Sequence, residues 1–284
     1  MPYGNVFEKI NSEYYQLTSA EKKVADYAVI HQQQTQFMSI SELAEEAGVA
    51  EATISRFCKR LGYKGYSAFK LAIANSTAGR AESSTRSGEF QPEDDICGIC
   101  QKIYDSDVEA LRQTLELIDS EKIRRAADIL VSAGRVLCMG QGASMILAQE
   151  CAHLFSLVRP NFYAVIDSHI QAIAASQLTA RDVVLYFSYS GSTKELLDNL
   201  KIVREQRAMS ILITRFPKSP GAAYADIVLQ CGSREGPLQG GSIAARIAQL
   251  YLVDVLFSEV CRRDVAESTR HREQVAEVLS DKHI

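Results

Sequence analysis

The chain has 284 residues, 46% of them hydrophobic, which suits a globular protein of two ordinary domains better than one large one. Its apolar stretches are broken by charge before the ~18 residues needed to cross a bilayer, and "MPYGNVFEKI" lacks a signal-peptide pattern, so the expected location is the cytoplasm with no membrane partner. A net charge of -4 argues against bulk attraction to nucleic acid, and seven cysteines scattered through apolar segments argue for reduced core thiols over a disulfide framework.

In chain order, apolar residues first recur at helical spacing: Val24, Tyr27 and Ala28, then Ile40, Leu43, Ala44 and Ala47, then Ile54, Phe57 and Leu61. Thr18 with Glu21, and Ser39 with Glu42, fit the capping box that satisfies free N–H groups at a helix start. No strand pattern appears, so residues 1–76 are predicted to form an all-helical domain. Within it, "ISELAEEAGVAEATISRFCKRLG" carries helix-turn-helix spacing. Ala44 is small where two helices cross, Gly48 permits the tight turn, and Ile54 and Phe57 anchor the second helix to the first.

That arrangement leaves Glu51, Ala52, Thr53, Ser55, Arg56 and Lys59 facing outward. From Ala52 to Ala81 there is no acid, yet the stretch holds Arg56, Lys59, Arg60, Lys64, Lys70 and Arg80, a local basic segment on an acidic protein. The expectation is a major-groove helix, with Arg56 and Thr53 reading base edges and Lys59, Arg60 and Lys64 on phosphates. The candidate DNA-binding set is Glu51, Thr53, Ser55, Arg56, Lys59, Arg60 and Lys64. The competing reading is an ordinary helical hairpin with a solvated charged face.

Residues 77–95, within the Ser-, Thr- and charge-rich "NSTAGRAESSTRSGEFQPEDD", read as a linker. Residues 96–264 then form the second domain. Two helices, Ile96 to Ile118 and Ser120 to Ser132, precede a regular alternation of short apolar runs with helical ones. The runs are "RVLCMG", "NFYAVI", "DVVLYF", "MSILIT" and "DIVLQC", which predicts a five-stranded parallel sheet with helices on both faces. Cys97 and Cys100 have metal or redox spacing, but no second pair or nearby histidine completes a four-ligand site, so no metal is expected. Residues 265–284 read as a polar helix or tail without an assigned role.

Two loops follow predicted strands, "MGQGAS" at Met139 to Ser144 and "SYSGST" at Ser188 to Thr193. In a parallel sheet such loops lie at the carboxyl edge, where ligands bind at a switch in strand order, and the helix after each presents a positive dipole end. Ser188, Ser190, Ser192 and Thr193 supply neutral hydroxyl donors, Gly191 lets backbone N–H groups approach, and Ser144 adds a hydroxyl from the first loop. The set reads as a cradle for a phosphate monoester, with helix capping by Ser or Thr as the plain alternative. The absence of GxxxxGK[ST] and of a third glycine in "GQGASM" argues against a nucleotide cofactor, and no cofactor is expected. No catalytic residue is assigned; Glu195 fits the helix dipole, and His169 and Glu235 remain weaker ligand candidates.

At "LTSAEKKVADYAVIH", "SISELAEEAGVAEATISRFCKRLGYKGYSAFK", "GQGAS", "SYSGSTKE" and "SIAARIAQLYLVDVLF", in that order, the chain resembles the RpiR-type bacterial transcriptional regulators over nearly its whole length. The resemblance implies an all-α helix-turn-helix domain followed by an α/β SIS (sugar isomerase) domain that binds a phosphosugar. Ser188, Ser190 and Thr193 match the phosphate-contacting positions of the SxSGxT pattern, and Ser144 matches the first-loop serine. It further implies a homodimer or homotetramer on palindromic double-stranded operator DNA, and "DSHIQA" is similar to the MurR-like subgroup, which responds to N-acetylmuramic acid 6-phosphate. The function implied is a regulator whose operator binding is modulated by a sugar phosphate. The alternative is a sugar-phosphate isomerase with an N-terminal appendage.

Overall fold

The computed structural model describes residues 6–78, 92–233 and 242–280. Contacts divide the chain into two compact units, one reaching Lys102 and the other covering Ile103–Ser233 and the residues from Ile243. The division falls inside one long helix, some residues beyond the expected linker at 77–95. Thr77 and Ala78 of that linker still belong to a helix, and residues 79–91 lie outside the described residues.

The first unit holds α1 (Val6–Glu13), a short 3-10 turn (Tyr14–Gln16), α2 (Ser19–Ile30), α3 (Gln32–Thr35), α4 (Ile40–Glu46), α5 (Glu51–Arg60) and α6 (Tyr66–Ala78). Both capping boxes form. The Thr18 hydroxyl accepts from Glu21 N while Glu21 Oε2 accepts from Thr18 N, and Ser39 and Glu42 repeat the exchange at α4. Gly48 turns the chain between α4 and α5 at φ +62°, a left-handed conformation that side-chain-bearing residues resist. Leu43, Ile54, Phe57, Leu61, Phe69 and Ile73 are fully buried, and Phe57 meets Phe69 edge-on with centroids 5.4 Å apart.

The helix α7 (Ile96–Leu117) leads through α8 (Ser120–Ser132) into β1 (Val136–Gly140), α9 (Ala143–Ser156), β2 (Phe162–Val165), α10 (Ser168–Ser176) and β3 (Val183–Phe187). There follow α11 (Lys194–Glu205), β4 (Met209–Thr214), β5 (Ile227–Gln230), α12 (Ile243–Arg263) and α13 (Val265–Ser280). The segment read as a polar helix or tail is thus helical through Ser280. All five strands are parallel, in the order β2-β1-β3-β4-β5.

Every residue of β1 and β3 is buried, because the two faces of the sheet are both covered. Val136, Cys138, Val183, Leu185 and Phe187 pack in one core with residues of α8, α9 and α12. Leu137, Met139, Val184 and Tyr186 turn to the other, with residues of α10 and α11. From β1 the chain moves outward to β2, whereas from β3 it moves the opposite way to β4 and β5. The order therefore switches between β1 and β3, and α9 and α11 leave that point on opposite faces.

The amino ends of the same two strands are pinned together. Gly134 N donates to Arg181 O and Val183 N to Arg135 O, and the Arg135 Nη2 lies 2.9 Å from the buried Asp182 carboxylate, which also accepts from Thr179 N. The Arg135 guanidinium, helped by Thr179 and opposed by burial, holds the Asp182 carboxyl below its ordinary pKa. A pKa lower in the folded than in the unfolded state adds stability that is present above the ordinary value of about 3.9 and lost as pH falls through the folded value. Asp182→Asn is expected to lower stability by about 1–2 kcal/mol at pH 7, with the deficit in melting temperature shrinking as pH is brought below 4.

Candidate functional site

The helix α5 presents an amphipathic surface, but not the one expected in every position. Arg56, Lys59 and Lys64 are exposed and Ser55 is half-buried. Thr53, expected to face outward, is only 6% exposed. It stands one turn before Phe57 on the inward stripe, and its hydroxyl accepts from Arg56 Nη2 at 3.2 Å, so it braces Arg56. Glu51 is half-buried and accepts from the Ser41 hydroxyl. Arg60 does not project freely either: its Nε lies 3.2 Å from Glu21 Oε1, and its Nη1 donates to Gln16 O.

Glu21 is buried, which alone would raise its carboxyl; the Thr18 bonds and Arg60 outweigh that and leave the pKa lowered. Glu21 thus closes a capping box and draws Arg60 toward α2. Of the exposed cations on and just after α5, Arg60 is tied to Glu21, whereas Arg56, Lys59 and Lys64 are not drawn to that carboxylate.

In the second unit the two loops start side by side, since Gly140 and Phe187 are register partners at the carboxyl ends of β1 and β3. Ser188 is buried, and its hydroxyl and carbonyl both accept from Gly191 N at 3.2 Å, closing a tight turn. Gly191 sits at φ +59°, and a Cβ there would lie 2.0 Å from Ser219 Oγ and 3.1 Å from Thr214 Oγ1. Gly191 O in turn accepts from Gly221 N at 2.8 Å, so the segment after β4 forms a floor beneath the turn. Ser190 is half-buried, with its hydroxyl accepting from Ser192 N, and Ser192 is exposed. Tyr189 turns away and donates to Ser233 O at 3.0 Å.

Thr193 occupies the N-cap of α11 with extended backbone, but its side chain makes no cap hydrogen bond. Its Oγ1 is buried and has no partner among the described residues, and Ser219 Oγ is likewise buried and unpartnered. The plain helix-cap reading therefore does not describe Thr193. The first-turn N–H groups of α11, which have no partner within the helix, are open beside it among the described residues. At α9 the N-cap is Gly142, which has no side chain to offer, and Ser144 follows half-buried in the first turn.

His169 and Glu195 are exposed in the first turns of α10 and α11. Glu235 lies outside the described residues. Cys97 and Cys100 are exposed and unbridged on α7, and among the described residues no three His, Cys, Asp or Glu side chains gather as a metal-holding group. No described helix is long and apolar enough to cross a membrane.

A set of side chains that no sequence motif announces lies under the two loops. Tyr186 and Gln171 are fully buried and Asn199 is 3% exposed; with Gln141 of the first loop they form one hydrogen-bonded group. Burial raises the Tyr186 pKa against the opposing pull of Asn199 and Gln141, which keeps the phenol protonated as a donor. The available signal was a tyrosine, with one polar atom, inside the apolar run of β3.

Comparison with known proteins places both units. The pattern of the helix-turn-helix domain of the rpiR family matches residues 4–80, and that of the SIS domain matches residues 129–259. An uncharacterised HTH-type transcriptional regulator of Haemophilus influenzae is 33% identical over 95% of both chains. The HTH-type transcriptional regulator HexR of Pseudomonas aeruginosa is 31% identical over 97% of this chain and 95% of its own. Among solved structures, the Vibrio vulnificus NanR protein complexed with ManNAc-6P superposes with TM-score 0.88 at 28% identity, covering 98% of this chain and 99% of that one. The sugar isomerase domain of an RpiR transcription factor from Sphaerobacter thermophilus shares the fold of the second unit, with TM-score 0.58 at 21% identity over 63% of this chain and 98% of that one.

The close fit of Gly191 over Ser219 gives a direct test of the turn. Gly191→Ala adds a left-handed side-chain residue and a steric overlap, together about 2–4 kcal/mol. Urea denaturation is expected to show that loss, and Ser219→Gly in the same chain to restore only its steric part.

Proposed function

Because the chain belongs to the rpiR family of helix-turn-helix transcriptional regulators that carry a SIS domain, we propose that its operator binding is modulated by a sugar phosphate held between the Gly140–Ser144 and Ser188–Thr193 loops. The observation that carries the effector half is the Thr193 hydroxyl, buried and unpartnered at the start of α11 beside the Gly191 turn. A phosphate oxygen supplies the missing acceptor for that hydroxyl and for the open N–H groups of the first turn. NanR, similar over nearly the whole chain, is complexed with ManNAc-6P, which supports a sugar phosphate as the class of effector.

In this reading Ser190, Ser192 and Thr193 donate to the phosphate, Ser144 donates from the first loop, and Ser188 shapes the turn around Gly191. His169 and Glu235 are the candidates for the sugar hydroxyls. On the DNA side, Arg56 reaches base edges with Thr53 as its brace and Ser55 beside it, while Lys59 and Lys64 engage phosphates. Arg60 and Glu51 act indirectly, by holding α5 in place. The protein works in the cytoplasm as a homodimer or homotetramer on a palindromic operator and needs no cofactor. The effector shifts DNA binding only insofar as it binds the two states with different affinity, and the coupling is reciprocal. The site senses its ligand and does not transform it.

Fluorescence anisotropy on the protein's own upstream DNA, titrated with hexose, amino-sugar and sugar-acid phosphates, tests both halves. Arg56→Ala is expected to weaken operator binding roughly 5- to 150-fold, the range of one base contact, without altering the melting temperature. Ser190→Ala is expected to retain operator affinity and to need roughly tenfold more effector for the same response. Turnover of an aldose or ketose phosphate without selective DNA binding would replace this reading with that of an isomerase.

A further inference from the structure

We propose that Gln171, Tyr186 and Asn199 are positioning residues of the ligand site, which lock Gln141 and with it the first loop against the strand that carries the second. This rests on the reading of the two loops as the sugar-phosphate site. The argument starts from Gln171, whose amide has only one workable orientation. Its Nε2 donates to Gly140 O at 3.0 Å and to Val165 O at 2.7 Å, and carbonyls can only accept. Both of its hydrogens are thereby engaged on the last residues of β1 and β2, and Oε1 must face the remaining members.

That oxygen accepts from Gln141 Nε2 at 2.6 Å and has Asn199 Nδ2 at 3.3 Å and the Tyr186 hydroxyl at 3.2 Å as its other donors. The Tyr186 hydroxyl has Gln141 Oε1 at 3.0 Å as the nearer acceptor for its proton and Gln171 Oε1 at 3.2 Å as the other, while it accepts from Gln141 Nε2 at 2.8 Å and from Asn199 Nδ2 at 3.2 Å. The Gln141 amide is held at its nitrogen by Gln171 and Tyr186 and at its oxygen by Tyr186, 30 and 45 residues away in the chain. The circuit joins the first loop, the carboxyl ends of β1 and β2, β3 and α11. It lies at the carboxyl edge of the sheet, next to the loops, while Leu137, Met139, Val184 and Leu212 fill the same core with apolar groups.

A core residue with no task at this edge would be apolar, since burying amides and a phenol adds stability only when each is satisfied. Here the bonds fix a loop that has no other anchor of this kind. The Gly142 N-cap offers no side chain, and the only polar side chain before Ser144 is Gln141. The consequence is that Ser144 and the Ser188–Thr193 turn are presented as one rigid surface. A ligand meets both without first ordering the first loop, which is how pre-organisation raises affinity.

The test uses the full-length protein and calorimetric binding of N-acetylmannosamine 6-phosphate. Tyr186→Phe keeps the ring and removes the hydroxyl, and it is expected to melt cooperatively, to bind operator as the parent does without ligand, and to bind the sugar phosphate about tenfold more weakly. Gln141→Met, in the half-buried loop, is expected to reproduce that loss, and the two together to lose no more than either alone. In a Ser144→Ala background the loss from Tyr186→Phe is expected to shrink, and in a Ser190→Ala background to persist in full. A merely structural role predicts equal losses in both backgrounds and would overturn the proposal, as would a Tyr186→Phe protein that binds like the parent. A parent protein that binds no sugar phosphate of the panel overturns the functional reading and this inference with it, whereas parent binding with an unaffected variant overturns this inference alone.

Discussion

The parallel pairing of β1 with β3 is the contact on which the rest of the second unit depends. Both strands are buried along their whole length, so their alternate side chains are committed to two separate cores, one with α8, α9 and α12 and one with α10 and α11. At roughly 25 cal/mol per Å² of apolar surface, such a register is strongly specified, because a slip of one residue would exchange the two faces. The pairing is tied at its amino end by Arg135 and Asp182 and at its carboxyl end by Gln171 and Tyr186. Between those ties the chain turns outward in opposite directions, and a crevice at the carboxyl edge follows from the topology before any ligand is considered.

The first unit is organised by a different economy, in which one carboxylate meets two demands. Glu21 completes the N-terminal cap of α2 and pairs with Arg60 of α5. The same contact that orients α5 ties down one of its exposed cations, leaving Arg56 braced by Thr53 and Lys59 and Lys64 on longer, freer stems. In the DNA contact proposed for α5, one braced guanidinium suits bidentate recognition of a base edge, whereas flexible ammonium groups suit phosphates.

What could be read in the sequence was what is local. The capping boxes at Thr18 and Ser39, the left-handed turn at Gly48 and the alternation of strand and helix depend on residues close in the chain, and each has the form expected. The helix Ser120–Ser132 and the strand Met209–Thr214 match to the residue. Thr53 is buried where an outward face is expected, because the inward stripe on α5 is wider than Ile54 and Phe57 alone, and the partner of Arg60 could not be read locally, because it is a carboxylate 39 positions away. The group around Gln171 was invisible for the same reason. Its members lie in four different elements, and each taken singly is an ordinary residue. The hydroxyl turn stood between these cases, since its residues are consecutive while the floor that makes Gly191 necessary comes from Thr214 and Ser219.

The unpartnered hydroxyl of Thr193 bears on how such a site could work as a sensor. A buried donor without an acceptor costs about 1–3 kcal/mol, and that cost is carried by the free protein and removed when an acceptor arrives. The figure is of the same order as the coupling free energies by which effectors change affinity at a second site, about 1–3 kcal/mol. Had Thr193 capped its own helix, a ligand would have exchanged one hydrogen bond for another with little net gain. Leaving the hydroxyl and the first-turn amides of α11 open concentrates the gain in the occupied state, and an equilibrium responds only to a difference between states. A rigid first loop serves the same end, because a ligand that had to order it would lose part of that difference to conformational entropy.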